Sequence, residues 1–165
     1  MNISKENKFE WIYGTHAVQA FLTNRFQYIN KIVFAKKFIN SSIIKDAKSK
    51  GVSINLVDDA FFRNFPPGNQ GIGCLCNPDT VRNDFKEYLK TIDERAIIVI
   101  LDSVTDPQNF ASCIRSSLSF GASCLIIPKH QSATVTPIVH KISVGGASSL
   151  PIFKVVNICQ TLEIF

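Results

Sequence analysis

The chain has 165 residues, with 18 basic and 13 acidic side chains and a formal net charge of +5 at pH 7. A length of this order accommodates one ordinary domain or two small ones, and an apolar share of 45% is enough for a core. The sequence has no apolar run near the roughly 20 residues that cross a bilayer. The first 11 residues are polar and lack a signal-peptide core. We therefore expect a cytoplasmic protein without a membrane segment.

The five cysteines indicate reduced, buried thiols. Cys74 and Cys76 are separated by one residue, a spacing that zinc knuckles do not use, and no second pair follows. The three histidines are scattered along the sequence. We expect no metal site.

The positive charge is concentrated in the first half. Residues 1–90 hold 13 basic and 8 acidic side chains, whereas residues 91–165 hold 5 of each. Two interpretations stay open. The first half binds an anionic partner, or its extra lysines keep a small domain in solution.

In the first half, apolar spacing and capping residues predict alternating helices and strands. Residues 1–10 are expected to form a disordered leader. The predicted elements are a helix at 16–22 with Thr15 as a possible N-cap, a strand at 31–35, a helix at 40–50, a strand at 52–57, a short helix at 58–63 and a strand at 72–76. These elements predict a small α/β sandwich domain over residues 11–78.

Residues 79–94 are polar and are predicted to be a linker with a helical middle. The elements predicted beyond it are strands at 96–101, 122–127 and 152–156, helices at 107–120 and 136–143, and a helix that begins at Asn157. Strands that alternate with helices predict a parallel sheet with right-handed crossovers.

Residues 101–121, LDSVTDPQNFASCIRSSLSFG, are the most informative segment. Asp106 before Pro107 is typical of a helix N-cap followed by proline at the first helical position. Arg115 is the only cation of the predicted helix. From the residues alone, Arg115 is either an exposed arginine paired with an acid or an anion contact at the strand ends. Asn109 either satisfies free N–H groups at the helix start or contacts a ligand.

This segment resembles the first signature motif of the SpoU (TrmH-like) RNA ribose 2′-O-methyltransferases of the SPOUT class. The resemblance continues in YGTHAVQAFL (13–22), NQGIGCLC (69–76) and KISVGGASSLPIFKVVN (141–157). It implies a small α/β RNA-binding domain, followed over residues 95–165 by the N-terminal half of a parallel-sheet α/β-knot methyltransferase domain. Within the family, the resemblance favours enzymes that act on a guanosine of large-subunit ribosomal RNA.

The resemblance implies catalytic roles for Asn109 and Arg115. Because arginine does not readily release its proton, Arg115 is expected to orient a phosphate or to stabilise oxyanion charge on the ribose. The residues expected to contact RNA are Arg25, Lys31, Lys36, Lys37, Arg63, Asn69 and Gln70. Phe38 or Phe61 is expected to stack on a base. The alternative for these lysines and arginines is an ordinary solvated face.

The sequence departs from the family pattern at two positions. Ser148 stands where many members have an acid, and Asn69 stands where they often have a histidine. His16 matches a family motif and is expected to serve packing or capping.

The resemblance implies S-adenosylmethionine as cofactor, but two later motifs, similar to Gly-x-Glu-Gly and Ser-Leu-Asn-Val-Ser, do not occur in the sequence. We expect the knot and the cofactor loops to lie beyond Phe165, so that the chain alone neither binds the cofactor nor transfers methyl groups. The family is homodimeric, and the chain is expected to exist as a monomer or with a complementing fragment. The expected partner is structured rRNA or tRNA. The alternative function is a non-catalytic RNA-binding module.

Overall fold

The computed structural model describes residues 9–77 and 80–165. The chain divides into two compact units, Met1–Pro78 and Asp79–Phe165. Of the predicted disordered leader, residues 1–8 lie outside the described residues. Its last residue, Glu10, begins the first strand and is not part of a leader.

The first unit contains a four-stranded sheet in the order β1-β4-β2-β3, in which β2 and β3 are parallel and β4 is antiparallel to β1 and β2. Its elements are β1 (Glu10–Tyr13), α1 (Thr15–Arg25), β2 (Ile29–Ala35), α2 (Ser42–Ser49), β3 (Ser53–Val57) and β4 (Ile72–Cys76). Three 3₁₀ turns connect them, at Phe26–Tyr28, Lys36–Phe38 and Asp59–Asn64.

Alternation along the strands gives this sheet two different faces. Ile12, Ile32 and Cys74 are fully buried against α1 and α2. The opposite face carries Val33 and Ala35, which are covered by rings from the segment 59–65. The predicted α/β sandwich is therefore confirmed, with an aromatic layer that the sequence did not indicate.

Helix α1 begins differently from the prediction. Its N-cap is Gly14, not Thr15, and the Thr15 N–H donates to Oε1 of Gln70 at 2.7 Å. Gln70 lies 55 residues further along the chain. Sequence patterns of capping search the neighbouring residues, so they could not find this partner.

The second unit contains a sheet whose paired strands all run parallel, in the order β5-β8-β7-β6. Its strands are β5 (Val81–Arg82), β6 (Ile98–Ile100), β7 (Cys124–Pro128) and β8 (Ile152–Val155). Its helices are α3 (Phe85–Leu89), α4 (Pro107–Ser119), α5 (Pro137–Ile142), α6 (Gly146–Ser149) and α7 (Ile158–Leu162). The predicted parallel sheet is confirmed. Residues 79–94, predicted to be a linker, instead contribute β5 and α3 to this unit.

One face of the second sheet packs under α4, α5 and α6, with Phe110, Ile114 and Val139 fully buried. The other face carries Ile126 and Phe153 and is covered by Phe85 and Tyr88 of α3. Of the two clusters of the second unit, the larger therefore lies beneath α4, the helix that carries the signature segment.

The cysteines are all free thiols. Burial was predicted for all of them and holds for Cys74, Cys76 and Cys124, but Cys113 is partly exposed and Cys159 is exposed. Within residues 9–77 and 80–165, no group of three His, Cys, Asp or Glu side chains has a geometry suited to a metal ion. Over the same residues, the helices are too short or too polar to cross a membrane.

Candidate functional site

Helix α4 starts with the predicted cap. One carboxylate oxygen of Asp106, Oδ2, accepts hydrogen bonds from the N–H groups of Gln108 at 3.0 Å and Asn109 at 2.9 Å. Pro107 occupies the first helical position. Because Asp106 satisfies these N–H groups, the side chain of Asn109 is not needed as a cap.

Asn109 and Arg115 both lie on the exposed side of α4, whereas Phe110, Ala111 and Ile114 are buried. Helix geometry separates positions six apart by about 120° around the axis and about 9 Å along it. The structure therefore does not bring Asn109 and Arg115 into mutual contact. Both side chains are exposed, at two positions along the axis of the same helix.

The Arg115 side chain is exposed and, among the described residues, has no ion pair with an acid. The alternative of an arginine neutralised by a neighbouring carboxylate is therefore not observed. An exposed guanidinium with free donors can bind a phosphate or a developing oxyanion.

A glycine turn holds the helix at Arg115. Gly145 is left-handed, with φ of 82°, and Gly146 opens α6. A Cβ at Gly146 would lie 3.1 Å from Cγ2 of Ile114 and 3.8 Å from Cα of Arg115. The backbones of α4 and this turn therefore pass close together, and this contact fixes the backbone position of Arg115.

Ser148, at the position where many family members have an acid, is buried in this turn. Its hydroxyl donates to the carbonyl of Gly145 at 2.7 Å. Ser143 adds a second contact, because its hydroxyl accepts from the N–H of Ala147 at 3.2 Å. These hydroxyls stabilise the turn and bring no negative charge to Arg115.

The predicted RNA contacts of the first unit are spread over its surface. Lys36 pairs with Asp58, its Nζ lying 2.6 Å from Oδ1. This hydrogen bond and the charge of Asp58 raise the pKa of Lys36. Arg25 lies at the C-terminal end of α1, about 15 Å from the start of that helix by its rise per residue. Arg63 is exposed on the 3₁₀ turn Asp59–Asn64.

The Lys37 side chain lies beside the loop of residues 69–71. A Cβ at Gly71 would lie 3.5 Å from its Nζ. The same ammonium is 5.8 Å from the ring centre of Phe38. The structure thus brings Lys37 and Phe38 together with the loop that carries Asn69 and Gln70.

Asn69 and Gln70 hold this loop in place. Asn69 Nδ2 donates to the carbonyls of Phe62 at 3.3 Å and Pro66 at 3.1 Å, and its Oδ1 accepts from the N–H of Gly71 at 2.9 Å. Gln70 binds the start of α1, as described above. Contact of Asn69 and Gln70 with RNA stays a prediction, and the structure adds a structural role that the sequence did not indicate.

A groove of about 1030 Å³ lies at the carboxyl ends of β5, β7 and β8, and sequence reasoning did not find it. Lys129, Lys154 and Asn157 line it, and none of its lining residues belongs to α4 or to the Gly145 turn. The signal available was that Lys129 directly follows a parallel strand and Lys154 lies near the end of another, where α/β sheets often bind ligands.

Two families match the chain, one for each unit. The family described as RNA 2′-O ribose methyltransferase substrate binding matches residues 11–81. The SpoU rRNA Methylase family matches residues 96–165. The chain belongs to the SpoU methylase family. The resemblance drawn from residues 101–121 is thereby confirmed.

The curated relatives of this SpoU protein include ribosomal RNA enzymes. It is 31% identical over 163 residues to the 23S rRNA (guanosine-2′-O-)-methyltransferase RlmB of Pseudomonas putida, covering 95% of this chain and 66% of the relative. It is 34% identical over 163 residues to RlmB of Escherichia coli K12, covering 93% and 66%. The chain thus spans just under two thirds of the length of these relatives.

Solved structures confirm the fold. The SpoU methyltransferase AviRb of Streptomyces viridochromogenes, in complex with the cofactor AdoMet, aligns with a TM-score of 0.72 at 16% identity, over 94% of this chain and 58% of AviRb. An RNA 2′-O ribose methyltransferase aligns with a TM-score of 0.71 at 15% identity, over 96% and 59%. At these identities the likeness concerns the fold.

The described surroundings of Asn109 and Arg115 do not fit S-adenosylmethionine, the cofactor that the family implies. A ligand of this size buries most of its surface in a concave pocket, but both residues lie on the exposed face of α4. The hydroxyl groups of Ser143 and Ser148 fill the Gly145 turn beside Arg115. The groove of about 1030 Å³ contains neither residue.

Proposed function

We propose that this chain takes part in the 2′-O-methylation of a ribosomal RNA guanosine, with S-adenosylmethionine as the methyl donor. In this proposal the first unit binds RNA and the second positions the ribose that accepts the methyl group. The main support is Arg115, an exposed cation fixed against Gly146 at the position of the family's motif arginine. The two family matches and the guanosine-specific enzymes among the relatives support the substrate.

On the acceptor side, the chemistry is electrostatic. A ribose 2′-hydroxyl gains negative charge as its proton leaves, and a guanidinium that is already in place stabilises that charge without reorganisation. Arg115 carries five N–H donors and keeps its proton, so it acts as a donor and not as the base. Asn109, exposed about one and two-thirds turns earlier on α4, is proposed to bind the ribose or its phosphate.

In the first unit, the proposed RNA contacts rest on charge. The unit holds 10 basic and 5 acidic residues. Lysines and arginines of such a surface bind phosphates and give affinity that falls with salt. Lys37 beside the loop of residues 69–71 is better placed than Lys36, because Lys36 already shares its charge with Asp58.

The test is methyl transfer from labelled S-adenosylmethionine to unmodified 23S rRNA. It is run with the 165-residue chain and with a fusion of the chain to the part of the Pseudomonas putida relative that has no counterpart here. We expect 2′-O-methylguanosine with the fusion, and neither transfer nor low-micromolar binding of the cofactor with the chain alone. A fusion that folds, binds the cofactor and leaves RNA unmodified counts against the proposal. Cofactor binding by the chain alone would show that the described residues form a donor site after all.

A second candidate is an RNA-binding module without catalysis. The poor fit of the described residues to the cofactor favours it. Its signature is salt-dependent binding of structured RNA by the chain, together with an inactive fusion. Absence of RNA binding at physiological salt argues against both candidates.

A further inference from the structure

We propose that the part of the first sheet that its aromatic cover leaves open is a stacking platform for single-stranded RNA, formed by Phe61, Trp11, Leu75 and Lys31. The inference rests on the proposed function, because RNA is its ligand. It assigns the contact to one sheet face, whereas the sequence named Lys31 and Phe61 without placing them on a common surface.

The platform follows from strand register. Trp11 pairs with Leu75, Leu75 with Lys31, and Lys31 with Ser53, so one row of side chains crosses the whole sheet. Cross-strand partners share a face. This face is the one opposite α1 and α2, because Ile12, Ile32 and Cys74, each adjacent to a member of the row, point into the helix-side core.

Aromatic rings cover the neighbouring row. That row runs Tyr13, Gly73, Val33, Asn55. A Cβ at Gly73 would lie 3.0 Å from Cε1 of Phe65 and 3.3 Å from Cε3 of Trp11, so only glycine lets these rings rest directly on the sheet. Phe65 packs edge to face on Trp11, with ring centres 5.2 Å apart. The Trp11 indole is thereby held in a fixed orientation.

Phe61 stands at the border between the covered and the open part. Its ring centre lies 6.2 Å from Trp11, 5.5 Å from Phe62 and 5.6 Å from Phe65, yet 40% of the residue stays exposed. Trp11, Leu75 and Lys31 are only partly buried. A ring fixed by three others and still exposed can stack on a base at little cost in side-chain entropy.

Charge complementarity selects the ligand. Lys31 is the charged member of its row, and neither this row nor the covered one contains an acid. An ammonium beside exposed rings matches a phosphate beside an unstacked base. In a duplex the bases are already stacked and paired, so the platform requires a single strand.

The chain carries its own probe, because Trp11 is the only tryptophan. We expect a nine-nucleotide single-stranded RNA of mixed sequence to quench Trp11 fluorescence on binding to the 165-residue chain, and the same RNA in a duplex to quench it much less. Anisotropy of labelled RNA measures binding in parallel.

Two matched pairs of variants isolate the platform. Phe61→Leu should weaken binding about fivefold or more, whereas Phe26→Leu, which changes a ring of similar exposure (41%) in another 3₁₀ turn, should not. The slope of the logarithm of the RNA binding constant against the logarithm of salt concentration should become shallower by about 0.7 with Lys31→Gln. Lys48→Gln, on the exposed face of α2, should leave this slope unchanged. Thermal unfolding shows that each variant is folded.

Saturable RNA binding without a change in Trp11 fluorescence would overturn the platform and leave the proposed function intact. Equal losses for Phe61→Leu and Phe26→Leu would do the same. Failure of the wild-type chain to bind any RNA would overturn both.

Discussion

The two units bury their sheets in different ways. The first sheet is covered by two helices on one face and by an aromatic layer on part of the other. The second sheet has three helices over one face and thinner cover on the other, and Val156 and Phe165 stay 79% and 60% exposed. The first unit has 10 basic and 5 acidic residues, whereas the second has 8 of each. Under the proposed function, recognition would fall to a surface in the first unit, and chemistry to a few side chains on one helix in the second.

The largest effect should come from removing a core ring. Phe34→Ala empties the fully buried centre of the first unit and should lower its free energy of unfolding by about 3–5 kcal/mol. Urea unfolding followed by Trp11 fluorescence reports this unit alone. Phe110→Ala, the matched change in the second unit, should leave the Trp11 transition in place. Equal shifts for the two variants would mean that the units unfold as one.

The division of roles predicts different kinetic effects in the active fusion. Arg115→Ala should lower kcat by about 10²-fold, because it removes a donor that acts on the transition state. Lys37→Ala should mainly raise KM, because a phosphate contact in the first unit contributes to RNA binding and does not touch the reacting atoms. Arg115→Lys keeps the charge without the fork of donors and should recover only part of the rate. An unchanged kcat for Arg115→Ala would make this arginine an ordinary surface residue.

The second unit should be sensitive to alkaline pH. Burial raises the pKa of the Cys124 thiol to about 11, whereas an unfolded cysteine ionises near about 8.5. Below that pH both states are protonated and the stabilisation is complete. As pH rises through 11 it is lost, up to about 3 kcal/mol, because the unfolded state releases its proton first. Urea unfolding by circular dichroism at pH 8 and pH 10.5 should show a smaller loss for Cys124→Ala than for wild type or for the exposed Cys159→Ala.

The smallest effect concerns the helix cap. Asp106→Ala should destabilise the second unit by about 1 kcal/mol, because two N–H groups lose their acceptor. Asp102→Ala removes an exposed carboxylate that accepts only from the hydroxyl of Ser103 and serves as control. Thermal unfolding by circular dichroism compares them. If the two variants have the same Tm, Asp106 contributes no more to stability than an exposed surface carboxylate.

Local signals predicted the elements that depend on neighbouring residues. Helix α4 was predicted from Asp106 and Pro107, and β4 and β8 from short apolar runs between turn residues. The same logic missed β1 because its four residues follow a polar segment. It also missed β5, whose two residues, Val81 and Arg82, are a strand only because β8 lies beside them.

The same distinction between signals from neighbouring residues and long-range contacts applies to the candidate site. Exposure of Asn109 and Arg115 on α4 follows from helix periodicity, and it was predictable. The ion pair of Lys36 with Asp58 and the stacked rings over Gly73 depend on long-range contacts that leave no periodic trace in the sequence. Sequence reasoning could therefore name the cations of the first unit but not the surface to which they belong.

The contact between Gln70 and the start of α1 affects how the nascent chain folds during synthesis. Synthesis at about 5–20 residues per second delivers Gln70 some 3–11 s after Thr15, because 55 residues separate them. Throughout that interval the first turn of α1 lacks its acceptor. We expect the helix to fray on the ribosome until the loop of residues 69–71 has emerged and closed the domain, so that the first unit becomes protease-resistant in one late step.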